Sequence, residues 1–158
     1  MTTIRVRTMT PSEYDEWQTT IAADYAAEQV RAGRWAAEGA VQRARDENSE
    51  LLPRGLDTER MLLLQSVTES GVAVGRAWVA LDHPRGAPDT AFLYDIEIDA
   101  AFRGQGYGRA LLDAVEAATS AAGAGSLELN VFGTNTAAIR LYETNGYSVT
   151  TQQMRKQL

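Results

Sequence analysis

The sequence predicts an α/β fold: one domain, a mixed central sheet flanked by helices, in the order β-α-α-β-β-β-α-β-α-β. Three observations carry this reading. Aliphatic runs bounded by turn residues alternate with amphipathic helical patterns along the chain. An apolar strand pattern, Phe92 to Ile98, leads through a glycine turn straight into a helical pattern. The 158 residues hold no repeat, linker or low-complexity tract to divide them, and that length suits a single core over residues 1–158.

Each element has its own signal. Ile4-Arg-Val-Arg-Thr8 alternates and reads as a first strand. Thr10-Pro11-Ser12-Glu13 is a capping box with Pro at the first helical position, so a helix starts there. Tyr14, Trp17, Ile21 and Tyr25 form its buried stripe, and Gly33 interrupts it. A second helix is expected from Trp35 to Glu50, left by the loop Leu51 to Leu56. Met61 to Val67 and Val72 to Leu81 flank Thr68-Glu-Ser-Gly71 as an antiparallel hairpin. A strand from Thr90 to Ile98 follows, then a helix from Tyr107 to Ala122 that turns Leu111, Leu112, Val115 and Ala118 inward. Ser126 to Phe132 reads as a strand, Asn135 opens a helix that Gly146 closes, and a last strand runs from Tyr147 to Arg155.

Composition narrows the function. There is no cysteine, hence no disulfide framework and no catalytic thiol. With a single histidine, a site of clustered imidazoles is excluded and no metal is expected. That residue, His83, lies in a turn-rich stretch and is expected at a loop tip. The amino terminus lacks the apolar core of a signal peptide, and no run is long enough to span a membrane, so the expectation is a cytoplasmic protein with no membrane partner. A net charge of −6 argues against nucleic acid as partner and leans toward cationic substrates such as amines.

The chemistry-bearing stretch is Arg103-Gly104-Gln105-Gly106-Tyr107-Gly108. Glycines let the backbone approach a ligand and aim several N–H groups at one spot, and the following helix adds the positive end of its dipole. A pyrophosphate is the natural guest. No Lys follows as in the phosphate loop of NTPases, and the spacing is not that of a dinucleotide fingerprint. Further on comes Asn135-Thr-Ala-Ala138-Ile-Arg-Leu141-Tyr142-Glu-Thr-Asn-Gly146-Tyr147. Tyr142 lies two turns after Asn135, roughly 10 Å along the same helix face, so one helix offers an amide and a phenol to one extended ligand.

Arg-x-x-Gly-x-Gly after a strand and before a helix resembles the acetyl-CoA signature of the GCN5-related N-acetyltransferases, the GNAT superfamily. The Asn135-to-Tyr147 string resembles that family's second signature, in the same order. The resemblance covers residues 60 to 158 strongly and the first third in outline, where it looks like a bacterial YycN-type branch. It implies acetyl-CoA as co-substrate, held by Ile96, Ile98, Arg103, Gly104, Gln105, Gly106, Tyr107, Gly108, Arg109, Asn135, Ala138 and Tyr142. It also implies strand N–H groups around Ile96 to Ile98 for the thioester oxygen, Tyr142 as general acid toward the CoA sulfur, and the first two helices as part of the acceptor pocket, Tyr25 and Trp35 among its candidates.

Acetyl transfer to an amine needs a base or a water relay. Strict alternation places Asp95 and Glu97 on one strand face, opposite Phe92, Tyr94, Ile96 and Ile98, where they are expected to meet a water-filled cleft. Glu97 is the first candidate, with Asp95, Glu128 and water as alternatives. Relatives that acetylate protein amino termini carry a Glu where this chain has Asn130, which weakens that acceptor. The function expected is transfer of acetyl from acetyl-CoA to a primary amine, small-molecule or peptide, by direct attack in a ternary complex; the chain is expected as monomer or homodimer. Two other classes remain: a non-catalytic CoA-binding module, and a transferase using the turn for ATP phosphates, which would need a Lys or Ser/Thr that the turn lacks.

Overall fold

Thr10 starts the first helix as its chemistry requires. Its hydroxyl accepts from the Glu13 N–H and Glu13 reaches back to the Thr10 N–H. Arg7 grips the same carboxylate with two bonds of 2.8 Å and, as the main cause, holds it at a pKa of about 2. This junction of strand and helix opens a computed structural model that describes residues 2–158. The elements are β1 (Ile4–Thr8), α1 (Pro11–Arg31), α2 (Ala40–Leu51), β2 (Met61–Thr68), β3 (Ala73–Ala80), β4 (Thr90–Ile98), α3 (Tyr107–Ala121), β5 (Ser126–Leu129) and α4 (Thr136–Thr144), with short 3-10 turns at Gly55–Asp57 and Ala100–Phe102.

The five strands lie side by side in chain order. β1 to β4 pair antiparallel, and β5 joins β4 in parallel because α3 carries the chain back between them. One sheet face packs on α3 through Leu64, Ala77, Val79, Leu93, Leu111, Leu112 and Val115, the last three with no exposed surface. Burying each such side chain contributes about 1.5–3 kcal/mol. The other face packs on α1 through Trp17, Ile21, Leu63 and Trp78. α1 and α2 meet on alanines (Ala22, Ala26, Ala40, Ala44), so the pair is tightly apposed.

The expected order holds from β1 through α4, and three features differ. α2 begins at Ala40 rather than at Trp35: Gly39 ahead of it is left-handed (φ 72°), and Trp35 turns its ring onto Tyr25 at 5.2 Å, beneath the Arg43 guanidinium. β5 stops at Leu129 rather than Phe132. Residues Tyr147 to Arg155 form no strand among the described residues. That segment has no alternating apolar face to bury, and its Val149 and Met154 side chains are exposed.

Candidate active site

The decisive local feature is a bulge. β3 and β4 pair as Val79 with Leu93 and then Trp78 with Asp95, so Tyr94 has no partner. Strict alternation therefore fails at this residue. Phe92, Tyr94, Asp95 and Glu97 face α1, with Tyr94 stacked on Trp78 at 4.5 Å and Asp95 receiving the Trp17 indole. Leu93, Ile96 and Ile98 face α3. A bulge sharpens the local twist, and β5 does not follow it. Pairing with β5 covers only Thr90 to Leu93. Beyond Leu93 the β5-side edge of β4 has no strand beside it among the described residues, leaving an open wedge lined by backbone donors and acceptors.

The wedge ends at the glycine turn. Gly104 and Gly106 are left-handed (φ 73° and 85°), as the tight turn into α3 demands. Gly106 caps α3 without any side-chain bond, so the helix's first N–H groups and its positive end face outward. Gly108 is an ordinary helical residue. The Arg103 guanidinium turns back along β4, donating to the Ile98 carbonyl at 3.0 Å and to Glu97 at 2.8 Å, which braces the turn. Gln105 donates to the Ala101 carbonyl, and the Tyr107 ring meets Phe102 edge-on. Arg109 spends its guanidinium on Asn145 and Thr144, clamping α3 to the end of α4. Asn135 caps α4 by accepting from the Ala138 N–H at 3.2 Å. Ile96, Ile98, Arg103, Gly104, Gln105, Gly106, Tyr107 and Gly108 thus follow one path from wedge to helix start. Arg109, Asn135 and Ala138 act in holding α3 and α4.

Glu97, expected to meet a water-filled cleft, is paired and part-exposed. Glu97 sits between two guanidinium groups, Arg76 at 2.6 Å and Arg103 at 2.8 Å. Arg76, which sequence reasoning missed, also approaches Asp95 at 3.5 Å and Asp99 at 3.8 Å. Only the β3–β4 register, with Arg76 opposite Glu97, reveals it. Asp95 differs from Glu97. Burial, the larger effect, pushes its carboxyl above the ordinary carboxylate value, against the pull of Arg76 and the 3.0 Å bond from Trp17. Glu28 of α1, also missed, is likewise raised by burial, with the charges of Asp95 and Glu97 acting in the same direction.

Tyr142 lies half-buried against the α3 cluster, 5.6 Å from the Tyr147 ring. Its hydroxyl has no hydrogen-bond partner among the described residues, and its pKa is raised by burial and then by the negative charge of Asp95. His83 is not at a loop tip. Its side chain is 2% exposed, its Nδ1 accepts the Arg85 N–H, and its Nε2 lies 3.1 Å from Glu128. The edge of its ring meets Phe92. This apolar seat beside a strand carboxylate overrides the turn-rich sequence around it. Glu128 is therefore occupied by His83 and Arg85, and Asn130 lies past the end of β5. Among the described residues no group of acidic or histidine side chains is placed to hold a metal, and no helix is long and apolar enough to cross a membrane.

With the wedge and the turn in place, comparison decides the family. The acetyltransferase (GNAT) family matches residues 27–147. The chain belongs to this family. It is accordingly an acyltransferase of the acetyl-CoA-dependent N-acetyltransferase class. It is 33% identical to the uncharacterised N-acetyltransferase YycN of Bacillus subtilis over 99% of both chains, and the crystal structure of YycN superposes with a TM-score of 0.92. YdgE of the same organism, another uncharacterised N-acetyltransferase, is 28% identical over 95% of each chain. The fold also matches the aminoglycoside acetyltransferase AAC(6')-Iy, solved with a CoA bisubstrate analogue, at 18% identity and a TM-score of 0.63, over 98% of this chain and 97% of that one.

Proposed function

We propose that the chain moves the acetyl group of acetyl-CoA to a primary amine by direct attack within a ternary complex. The observation that carries this is the open β4 edge beyond Leu93, running into the uncapped start of α3 at Gly106. The residues fit the co-substrate. Left-handed glycines leave backbone N–H groups clear for a pyrophosphate, and a Cβ built on Gly104 meets nothing within 4 Å, so the turn is open. Acetyl-CoA supplies an activated thioester. Backbone N–H groups around Ile96 to Ile98 hold the thioester oxygen as charge develops on it. Asp95 takes the proton of the attacking amine, since a carboxyl with raised proton affinity is a better base near neutrality than an ordinary one. The carbon–sulfur bond breaks, Tyr142 gives its proton to the sulfur, and water passes the proton on Asp95 back to Tyr142. Glu97, the first candidate from alternation, instead pairs with Arg103 and holds Arg76 beside Asp95.

The acceptor side lies between α1 and the bulged strand, with Glu28 near Asp95 and Tyr25 near Tyr94. Its carboxylates and the net charge of −6 favour a cationic amine, small-molecule or peptide. A thiol-release assay with acetyl-CoA and a series of amines tests the reading. The expected result is amine-dependent thiol release whose kcat/KM falls as pH drops through the raised Asp95 pKa. Asp95→Asn removes that limb and is slow at neutral pH, recovering in part at high pH as free amine accumulates. Glu97→Gln lowers the rate less. Loss that follows Glu97 and not Asp95 reverses the assignment of the base. Binding of acetyl-CoA with no thiol release from any amine replaces the enzyme by a CoA-binding module.

A further inference from the structure

The two oxygens of the Asp95 carboxylate are not equivalent. The Trp17 indole Nε1 donates to Oδ2 at 3.0 Å. The Arg76 Nε approaches the same oxygen, at the longer distance of 3.5 Å. Oδ1 accepts no hydrogen bond among the described residues. The donor that makes this difference belongs to α1, on the opposite side of the acceptor groove from the strand that carries Asp95.

Every neighbour of this indole holds it still. The Thr10–Glu13 box fixes the start of α1 about two turns before Trp17. The side chain is buried among Ile21, Leu52, Leu63 and Trp78. Tyr14 and Trp78 both meet its ring edge-on, at 5.7 and 5.5 Å. Trp78 stands opposite Asp95 in the β3–β4 register and stacks on Tyr94, the bulged residue. Its own N–H goes to the Met61 sulfur at 3.4 Å, so it does not compete for Asp95. A buried indole N–H requires an acceptor, and for Trp17 that acceptor is Asp95.

We propose that Trp17 is a positioning residue for acetyl transfer: its indole N–H fixes the Asp95 Oδ2 and leaves Oδ1 as the oxygen that takes the proton of the attacking amine. As the nitrogen–carbon bond forms, the N–H bond breaks toward Oδ1 and its electron pair stays on nitrogen. The inference rests on the reading of Asp95 as the base. The same bond also tunes that base. A hydrogen bond to a carboxylate favours the charged form, so Trp17 works with the Arg76 charge against the larger upward push of burial, while the Glu97 charge works with burial. Glu28 of α1 and Tyr142 of α4 are the other groups that feel the Asp95 charge.

Two measurements on the full chain test it. One is titration of the Asp95 carboxyl by carbon NMR, assigned with Asp95→Asn. The other is the pH profile of amine-dependent thiol release from acetyl-CoA. Trp17→Phe keeps an aromatic ring in the α1 stripe and removes the N–H. Benzothienylalanine at position 17 removes the N–H but keeps the bicyclic shape, so the test survives if the smaller ring fails to fold. Loss of the bond should raise the Asp95 midpoint by about one pH unit or more, as expected for a hydrogen bond to a charged group. The acid limb of kcat/KM should move to higher pH by the same interval. At its optimum kcat should fall about 10-fold as the base loses its orientation, with the KM for acetyl-CoA unchanged. A folded benzothienyl variant whose Asp95 midpoint stays at the wild-type value overturns the proposal, since a packing role alone would change only Tm. An acid limb that persists in Asp95→Asn overturns the base itself, and the catalytic role of Trp17 with it. A limb lost in Asp95→Asn yet unmoved in both position-17 variants overturns the role of Trp17 alone.

Discussion

Tyr142 shows how one side chain's surroundings set its chemistry. Burial and the nearby Asp95 charge both oppose ionisation of the phenol, so it keeps its proton where a general acid must have one. Asp95 is pushed in the same direction by its own burial, which for a carboxyl means holding a proton more readily. One group is thus suited to give a proton and the other to take one, and Tyr142 feels the charge of Asp95. Tyr142→Phe removes the donor and keeps the ring against Leu141 and Tyr147. Steady-state kinetics should show kcat lower on the order of 10²-fold, with CoA affinity and thermal stability nearly unchanged. The sign of the pH effect follows from the raised pKa. Loss of activity through Tyr142 ionisation begins only above the ordinary tyrosine value of about 10, and the variant lacks that alkaline limb. Unchanged kcat with weakened CoA binding would make Tyr142 a packing residue.

At the scale of elements, β3 sets what β4 can offer. Gly75 faces Ile98, and a Cβ there would fall on the Glu97 carbonyl oxygen and 2.8 Å from the Ile98 side chain. That close approach brings Arg76 onto Asp95 and Glu97. Gly75→Ala should therefore cost about 1–3 kcal/mol in denaturant unfolding, the usual cost of overpacking. It should also slow turnover by moving Arg76, an effect that a purely remote packing change would not produce. Neither Gly75 nor Arg76 was legible in the sequence, because both act across a strand pair whose register only the folded sheet defines. What was legible is local. The Thr10 box, the Gly104–Gly106 turn, the α3 stripe and the Asn135 cap rest on neighbours within a turn or two of helix, and the structure places them as expected. Alternation misled at Tyr94 because a one-residue bulge shifts every later side chain to the other face. His83 misled because a turn-rich loop folds inward onto Phe92 and Glu128, contacts distant in sequence.

For the whole molecule, the open wedge leaves β4 beyond Leu93 without a strand on its β5 side among the described residues, and the proposed function puts acetyl-CoA there. Occupying it should stabilise the entire cooperative unit, since β4 and α3 both belong to the central core. A ligand that binds only the native state at about a hundredfold excess over its Kd adds roughly 2.7 kcal/mol. For a domain of this size that corresponds to a rise in Tm of about 5–10 °C. Differential scanning fluorimetry with CoA should show this shift in the wild-type chain. Gly106→Val places a branched side chain at a left-handed residue that caps α3, where its Cβ would also lie 3.1 Å from the Thr2 hydroxyl. The variant should unfold at a lower temperature without ligand, by backbone strain of order 1–3 kcal/mol. It should then gain little or nothing from CoA, because its altered turn no longer presents the α3 N–H groups to a pyrophosphate. If the variant folds and CoA raises its Tm by as much as in wild type, the pyrophosphate does not sit at this turn, and the helix start at Gly106 serves the fold alone.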